Sequence, residues 1–230
     1  NRDRVQVAWA LVVLNEPGAW TTVRQLLDEG KLQDVTGLNQ RKLFDPALVA
    51  RMAGRDRLIE LANSSSVASK RFAALSLAEL GTSDVIDPLT RLSRESDVSI
   101  AREAALGLGR TGDPRAAEPI LAFLNAHPNE RDSVLTALGA SAGASGLGVI
   151  IHGARDLQTR AMATRILREQ KDPDAGDALF EALGAATAED DVSKAMRRNA
   201  VFGLAEIGDA RAVDGLVTYA QLGLDNPDPN

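Results

Sequence analysis

The sequence predicts an all-α fold, a right-handed α-solenoid of about seven helical hairpins. Three observations predict it. The 230 residues are 44% apolar and 25% charged but only 3% aromatic, a folded composition that suits helices packed closely through Ala and Leu. Apolar residues recur at i, i+3, i+4 and i+7, the period of one helix face. And four segments line up with one another, which is the signature of a repeat array.

The N-terminal part fits the pattern loosely. Helices are expected at 4–14, 20–29, 46–53 and 56–63. Between them Gly30 to Phe44 is long for a helix–helix connection, and loops of that length are often functional; Arg41 and Lys42 are its candidate partner contacts. Residues 1–66 therefore read as divergent repeats or a cap, 67–224 as the regular array and 225–230 as a polar tail. The chain opens on Asn1 and is expected to be part of a larger protein.

The regular units begin at Ser69, Ala101, Arg160 and Arg197, and end in the turn pairs Gly81-Thr82, Gly112-Asp113, Lys171-Asp172 and Gly208-Asp209. The turns are spaced by 31, 59 and 37 residues, so the middle interval holds two units, one of them degraded around Arg131 to Ser141. In each unit an Ala-rich first helix ends at a residue suited to a left-handed cap, and Asp or Thr caps the second helix. Pro88, Pro114 and Pro173 sit early in the second helix, where a missing N–H costs little. The second helices carry apolar stripes: Val85, Ile86, Leu89, Leu92; Ala116, Ile120, Leu121, Leu124; Ala178, Leu179, Leu183; Val213, Leu216, Val217, Ala220. One hairpin cannot bury both of its stripes, and stacking hairpins can. A basic residue recurs once per unit, at Lys70 or Arg71, Arg102, Arg131, Arg160 and Arg197. It is expected to pair with the turn carboxylates Asp84, Asp113, Asp172 and Asp209.

Two matches to catalytic motifs fail their context. Gly107 to Gly112 reads GxGxxG, but it closes an Ala/Leu helix, whereas a dinucleotide site needs it after a strand and opening a helix. Gly139 to Gly143 reads GxSxG around Ser141, with no strand before it and no acid and base in order after it; Gly139 to Gly148 reads better as a weakened turn. Without cysteine there is no disulfide, thiolate or Cys-based zinc site. His127 and His152 cannot hold a metal alone. No catalytic residue, metal or cofactor is expected.

The basic residue, the Ala-rich helix, the Gly-Asp turn and the Ala/Leu helix together resemble HEAT repeats, most closely the short bacterial kind also found in phycobilin lyases. The resemblance covers residues 67–222. It implies a protein-interaction scaffold, in which the second helices line a surface for a partner segment. Some HEAT proteins, the deoxyhypusine hydroxylases, hold two irons through paired His-Glu motifs. That pattern is missing here, since Pro128 follows His127 and Gly153 follows His152.

Charge points to the kind of partner. The net value falls from +1 over residues 1–63 to −1 over 64–128, −2 over 129–185 and −4 over 186–230. This disfavours nucleic acid, which needs a basic stripe, and favours a basic protein segment. The longest apolar run, Val7 to Leu14, is far short of about 20 residues, so no membrane insertion is expected, and the cytoplasm is the expected compartment. The leading expectation is a non-enzymatic scaffold whose contacts are outward residues of the second helices, Arg91, Arg94, Asn125, Glu181, Tyr219 and Gln221. A bilin-handling lyase or chaperone is the alternative, with nucleic-acid binding behind it. Trp9 and Trp20 are expected in the core; an exposed one would be the best anchor.

Overall fold

The structure is a computed structural model that describes residues 18–29 and 53–217, with Ala10, Glu16 and Ala50. Every regular element among them is helical. In order these are α1 (Ala19–Asp28), α2 (Arg55–Ala62), α3 (Val67–Leu80), α4 (Ile86–Leu92), α5 (Val98–Arg110), α6 (Ala117–Ala126), α7 (Arg131–Gly153), α8 (Leu157–Gln170), α9 (Gly176–Ala185) and α10 (Asp191–Glu206). A last helical stretch covers 212–217. Short 3-10 turns at Ser83–Val85, Pro114–Ala116 and Pro173–Ala175 lead into second helices. The expected helices at 20–29 and 56–63 are α1 and α2. Those at 4–14 and 46–53, and the 30–44 loop, lie almost wholly outside the described residues.

The chain forms two compact units, Asn1–Thr111 and Gly112–Asn230. In the first, α3 packs against α2 and α5, and α4 against α5. Its core is Leu58, Phe72, Leu77, Leu89, Leu92, Ile100 and Leu108, each at most 1% exposed. Burying each side chain of this size contributes about 2 kcal/mol. In the second unit, α7 packs on α6, α8 and α9, and α10 packs on α8 and α9. Leu135, Leu138, Ile150, Leu167, Leu179, Met196 and Leu204 fill the space between them.

The degraded middle unit is a complete one. Gly143 leaves the helical region, with φ 53° and ψ −145°, and divides α7 into 131–142 and 144–153. The Ala144 N–H freed by the break donates to the Asp172 carboxylate at 3.1 Å, so no buried donor is orphaned. A positive φ therefore recurs once per unit, at Gly81, Gly112, Gly143, Lys171 and Gly208, and Gly143 divides the 59-residue interval. The turn expected over Gly139 to Gly148 is confined to this one residue, with helix on either side.

Residues 128–153 are long and apolar enough to cross a membrane by length and composition, more so than Val7 to Leu14. Half of its most apolar 18 residues are buried inside the protein. The break at Gly143 leaves neither piece near the roughly 20 helical residues a bilayer needs.

Four first helices, α3, α5, α8 and α10, start on side-chain caps. Ser66 accepts from the Ser69 N–H, Asp97 from Ser99 and Ile100, Asp156 from Thr159, and Asp190 from Ser193. The Ser69, Thr159 and Ser193 side chains are themselves buried, and the Thr159 and Ser193 hydroxyls donate back to the capping Asp. The hydrogen bond from the Ser99 hydroxyl holds the Asp97 carboxyl below its ordinary range. At Asp156 partial burial opposes the same shift, and the Thr159 hydrogen bonds with the Arg131 charge override it. The Ser193 N–H and hydroxyl do the same for Asp190.

Four basic residues of the repeat, Lys70, Arg131, Arg160 and Arg197, bind loops rather than the turn carboxylates. They sit near the start of a first helix and bind loops that precede first helices, their own or the next one. Lys70 meets Glu95 at 2.7 Å. Arg131 donates to Pro128 O and pairs with Asp156 at 3.5 Å. Arg160 donates to Ala154 O, and Arg197 to Ala186 O, Ala188 O and Glu189. The turn acids lie at the other end of that helix, some 11 residues on, which at about 1.5 Å per residue is beyond an arginine's reach. Asp84 pairs instead with Arg55, Asp113 with Arg115 and Asp209 with Arg211.

Candidate interaction face

The second helices bury their apolar stripes as expected in α4, where Val85, Ile86, Leu89 and Leu92 are all inside. The last stripe departs from expectation: Val213 is 60% and Val217 53% exposed. The register position of Val213 is held by Ile86 and Ala117 in earlier units, both buried. No further described helix follows 212–217 to cover it.

In the second unit, one side-chain link ties each second helix to the next. The Asn125 amide of α6 donates to Gly153 O at 3.4 Å, and its oxygen accepts from the Arg155 N–H at 2.8 Å. His152 of α7 meets Glu181 of α9 at 2.6 Å. Asp177 of α9 meets Arg211, just before 212–217, at 2.9 Å. The same Arg211 grips Asp209 through its side chain and its backbone N–H. That hydrogen bonding holds the Asp209 carboxyl at about 2 and pushes the Arg211 guanidinium up. The guanidinium also lies over the Phe180 ring, 5.0 Å from its centroid.

These links place the expected contact residues. Arg91, at the end of α4, and Arg94 just beyond it are exposed. Asn125 is half-buried, with both ends of its amide used between helices. Glu181 is exposed and carries the His152 contact. Arg41, Lys42, Tyr219 and Gln221, like Trp9, lie outside the described residues. Phe180, 48% exposed on α9, went unread in the sequence. Its signal was position: it follows Asp177 by one turn, outside the Ala178, Leu179 and Leu183 stripe.

The catalytic look-alikes are structural. A Cβ on Gly107 would fall 2.6 Å from Ala78 Cβ, so this glycine lets α5 touch α3. Ser141 donates to the carbonyl of Ala137 in its own helix, while His152 is engaged with Glu181. Among the described residues no three His, Asp or Glu side chains gather as a metal site. A groove of about 520 Å³ lies between α1 and α2, lined by Trp20, Thr21, Arg24, Arg57, Glu60 and their neighbours. Trp20 is half-buried there, with the Arg57 guanidinium 5.9 Å from its ring.

Two family models match the chain: HEAT repeats over residues 55–139 and the PBS lyase HEAT-like repeat over 196–221. No curated protein matches it. The first match runs from α2 into the first half of α7, and the second begins in α10, so both fall on the alternation of first and second helices described above. Families of this repeat are in general non-catalytic and mediate protein–protein interaction. The chain is all-α and carries HEAT repeats over residues 55–139, with a repeat of the PBS lyase HEAT-like type over 196–221.

Proposed function

We propose that the chain is a non-enzymatic scaffold or adaptor that binds a segment of another protein along the exposed flank of its second helices. The observation that carries this reading is the set of cross-links in the second unit. Asn125 ties α6 to the end of α7 by two hydrogen bonds and Arg211 joins Asp177 of α9 to the start of 212–217, with an exposed His152–Glu181 contact between them, while Ala122 and Glu181 face solvent. A surface fixed before binding loses little entropy when a partner arrives. Arg91, Arg94 and Glu181 are contacts on this reading, with Tyr219, Gln221, Arg41 and Lys42 as further members. Asn125 contributes by holding its helix in place.

The test is photo-cross-linking in native lysate. A cross-linker at Ala122 or Glu181, on second helices, should capture one defined protein. The same group at Arg165 or Lys194, on exposed first-helix positions, should not. Capture only from the first helices would sink the reading.

The match over 196–221 favours a second reading, the handling of a bilin chromophore. Such a site needs a deep apolar cleft with a few convergent polar groups. The groove beside Trp20 is instead rich in charged side chains and lies outside the 196–221 match. Incubation with bilin and an apo-biliprotein tests it: a new visible absorption band would establish this activity.

A further inference from the structure

We infer that Asp177, Phe180, Glu181 and Gly184 of α9 form the anchor site for a basic amphipathic segment of a partner protein. The inference rests on the segment-binding reading above and adds the place and chemistry of the contact.

The four α9 residues are spaced i, i+3, i+4 and i+7, so they form one stripe along the helix. All of it faces solvent. The Asp177 side chain is 97% exposed and that of Glu181 44%. Phe180 is 48% exposed. A Cβ on Gly184 would meet nothing within 4 Å, so the end of the stripe is open to a close approach. Acid, ring, acid and gap is a pattern that answers cations flanking an apolar side chain.

The ring is already positioned. Arg211 covers one side of Phe180 and is itself held by Asp177 and Asp209. An aromatic side chain fixed in this way gives contact area at little entropic cost. On the next stretch Val213 and Val217, four residues apart, are both more than half exposed.

The charge selects the partner. Glu181 meets His152 in an exposed contact, the His152 side chain being 78% exposed. Pairs of this kind are worth little and exchange readily. Residues 129–185 carry net −2 and residues 186–230 net −4, a field that draws in cations and repels an acidic segment. A nucleic acid would be repelled as well.

The test uses the full chain and two labelled amphipathic helical peptides of about 18 residues, alike in their Leu anchors. One carries Lys and Arg at its polar positions, the other Glu. Fluorescence anisotropy should show binding of the basic peptide alone, weakening as salt rises. Phe180→Ala should weaken it about tenfold or more, as loss of a central anchor does. Glu181→Lys should weaken it further than Glu169→Lys, the same charge change on the exposed flank of α8. Far-UV circular dichroism checks that each variant folds. Equal losses from Glu181→Lys and Glu169→Lys would reduce the effect to general attraction and overturn the site. Binding of the acidic peptide, or of neither, would overturn the partner chemistry. If cross-linking at Ala122 still captured a protein in either case, segment binding would stand while this anchor site fell.

Discussion

Gly107 of α5 lies directly on Ala78 of α3: a Cβ built on it would stand 2.6 Å from the Ala78 Cβ and 2.8 Å from its Cα. The nearer obstacles include backbone, which cannot swing aside. Gly107→Ala should therefore destabilise the protein by about 1–2 kcal/mol, because overpacking outweighs the gain in helix propensity. Gly184→Ala, placed in open space, should instead be neutral or slightly stabilising. Urea denaturation of both variants checks the contrast; a stabilised Gly107→Ala would show that the two helices part easily.

Lys171 is the one non-glycine with positive φ among the described residues, at φ 53° and ψ 35°. It occupies the column that Gly81, Gly112, Gly143 and Gly208 hold elsewhere. An L-residue pays about 1 kcal/mol for this conformation. Lys171→Gly should raise stability by somewhat under 1 kcal/mol, since glycine also loosens the unfolded chain. A β-branched residue should cost more than Lys. Thermal melts of Lys171→Gly and Lys171→Val give the two signs.

Asn125 spans α6 and the end of α7 with two hydrogen bonds. Asn125→Ala should cost about 1–2 kcal/mol, because the Arg155 N–H and Gly153 O lose their shared partner. Arg91→Ala and Arg94→Ala, at exposed positions, should change stability by less than about 0.5 kcal/mol. The measurement is the shift in denaturant midpoint. Equal, negligible shifts at all three positions would make Asn125 an ordinary surface residue.

Acid should unfold the protein through its capping carboxylates. Asp97, Asp113, Asp156, Asp190 and Asp209 all hold their protons less tightly folded than unfolded, Asp209 down to about 2 from 3.8. The unfolded chain therefore binds protons first as pH drops. Stability from these groups is full above about pH 4–5 and is lost as pH falls through the carboxyl range toward the folded values. Denaturant midpoints between about pH 7 and pH 2.5 should fall along that path. Asp209→Asn should flatten the fall, and an unchanged profile would remove Asp209 from the account.

The sequence by itself determined the helices and their alternation, because a 3.6-residue apolar period and a capping Asp or Ser act within a few residues of chain. The caps at Asp113, Asp172 and Asp209 and the left-handed turns at Gly81, Gly112 and Gly208 were legible for that reason. Only the tertiary structure decided where side chains between repeats meet. It sent Lys70, Arg131, Arg160 and Arg197 to loops before first helices rather than to the turn acids, and placed Asn125 between helices. It also showed the break in α7 to be one residue, Gly143, and left Phe180 half in water beneath Arg211. The contacts of Asn125, Asp172 and Phe180 join residues about 30 positions apart, and these distances are set by how helices stack rather than by any period in the chain.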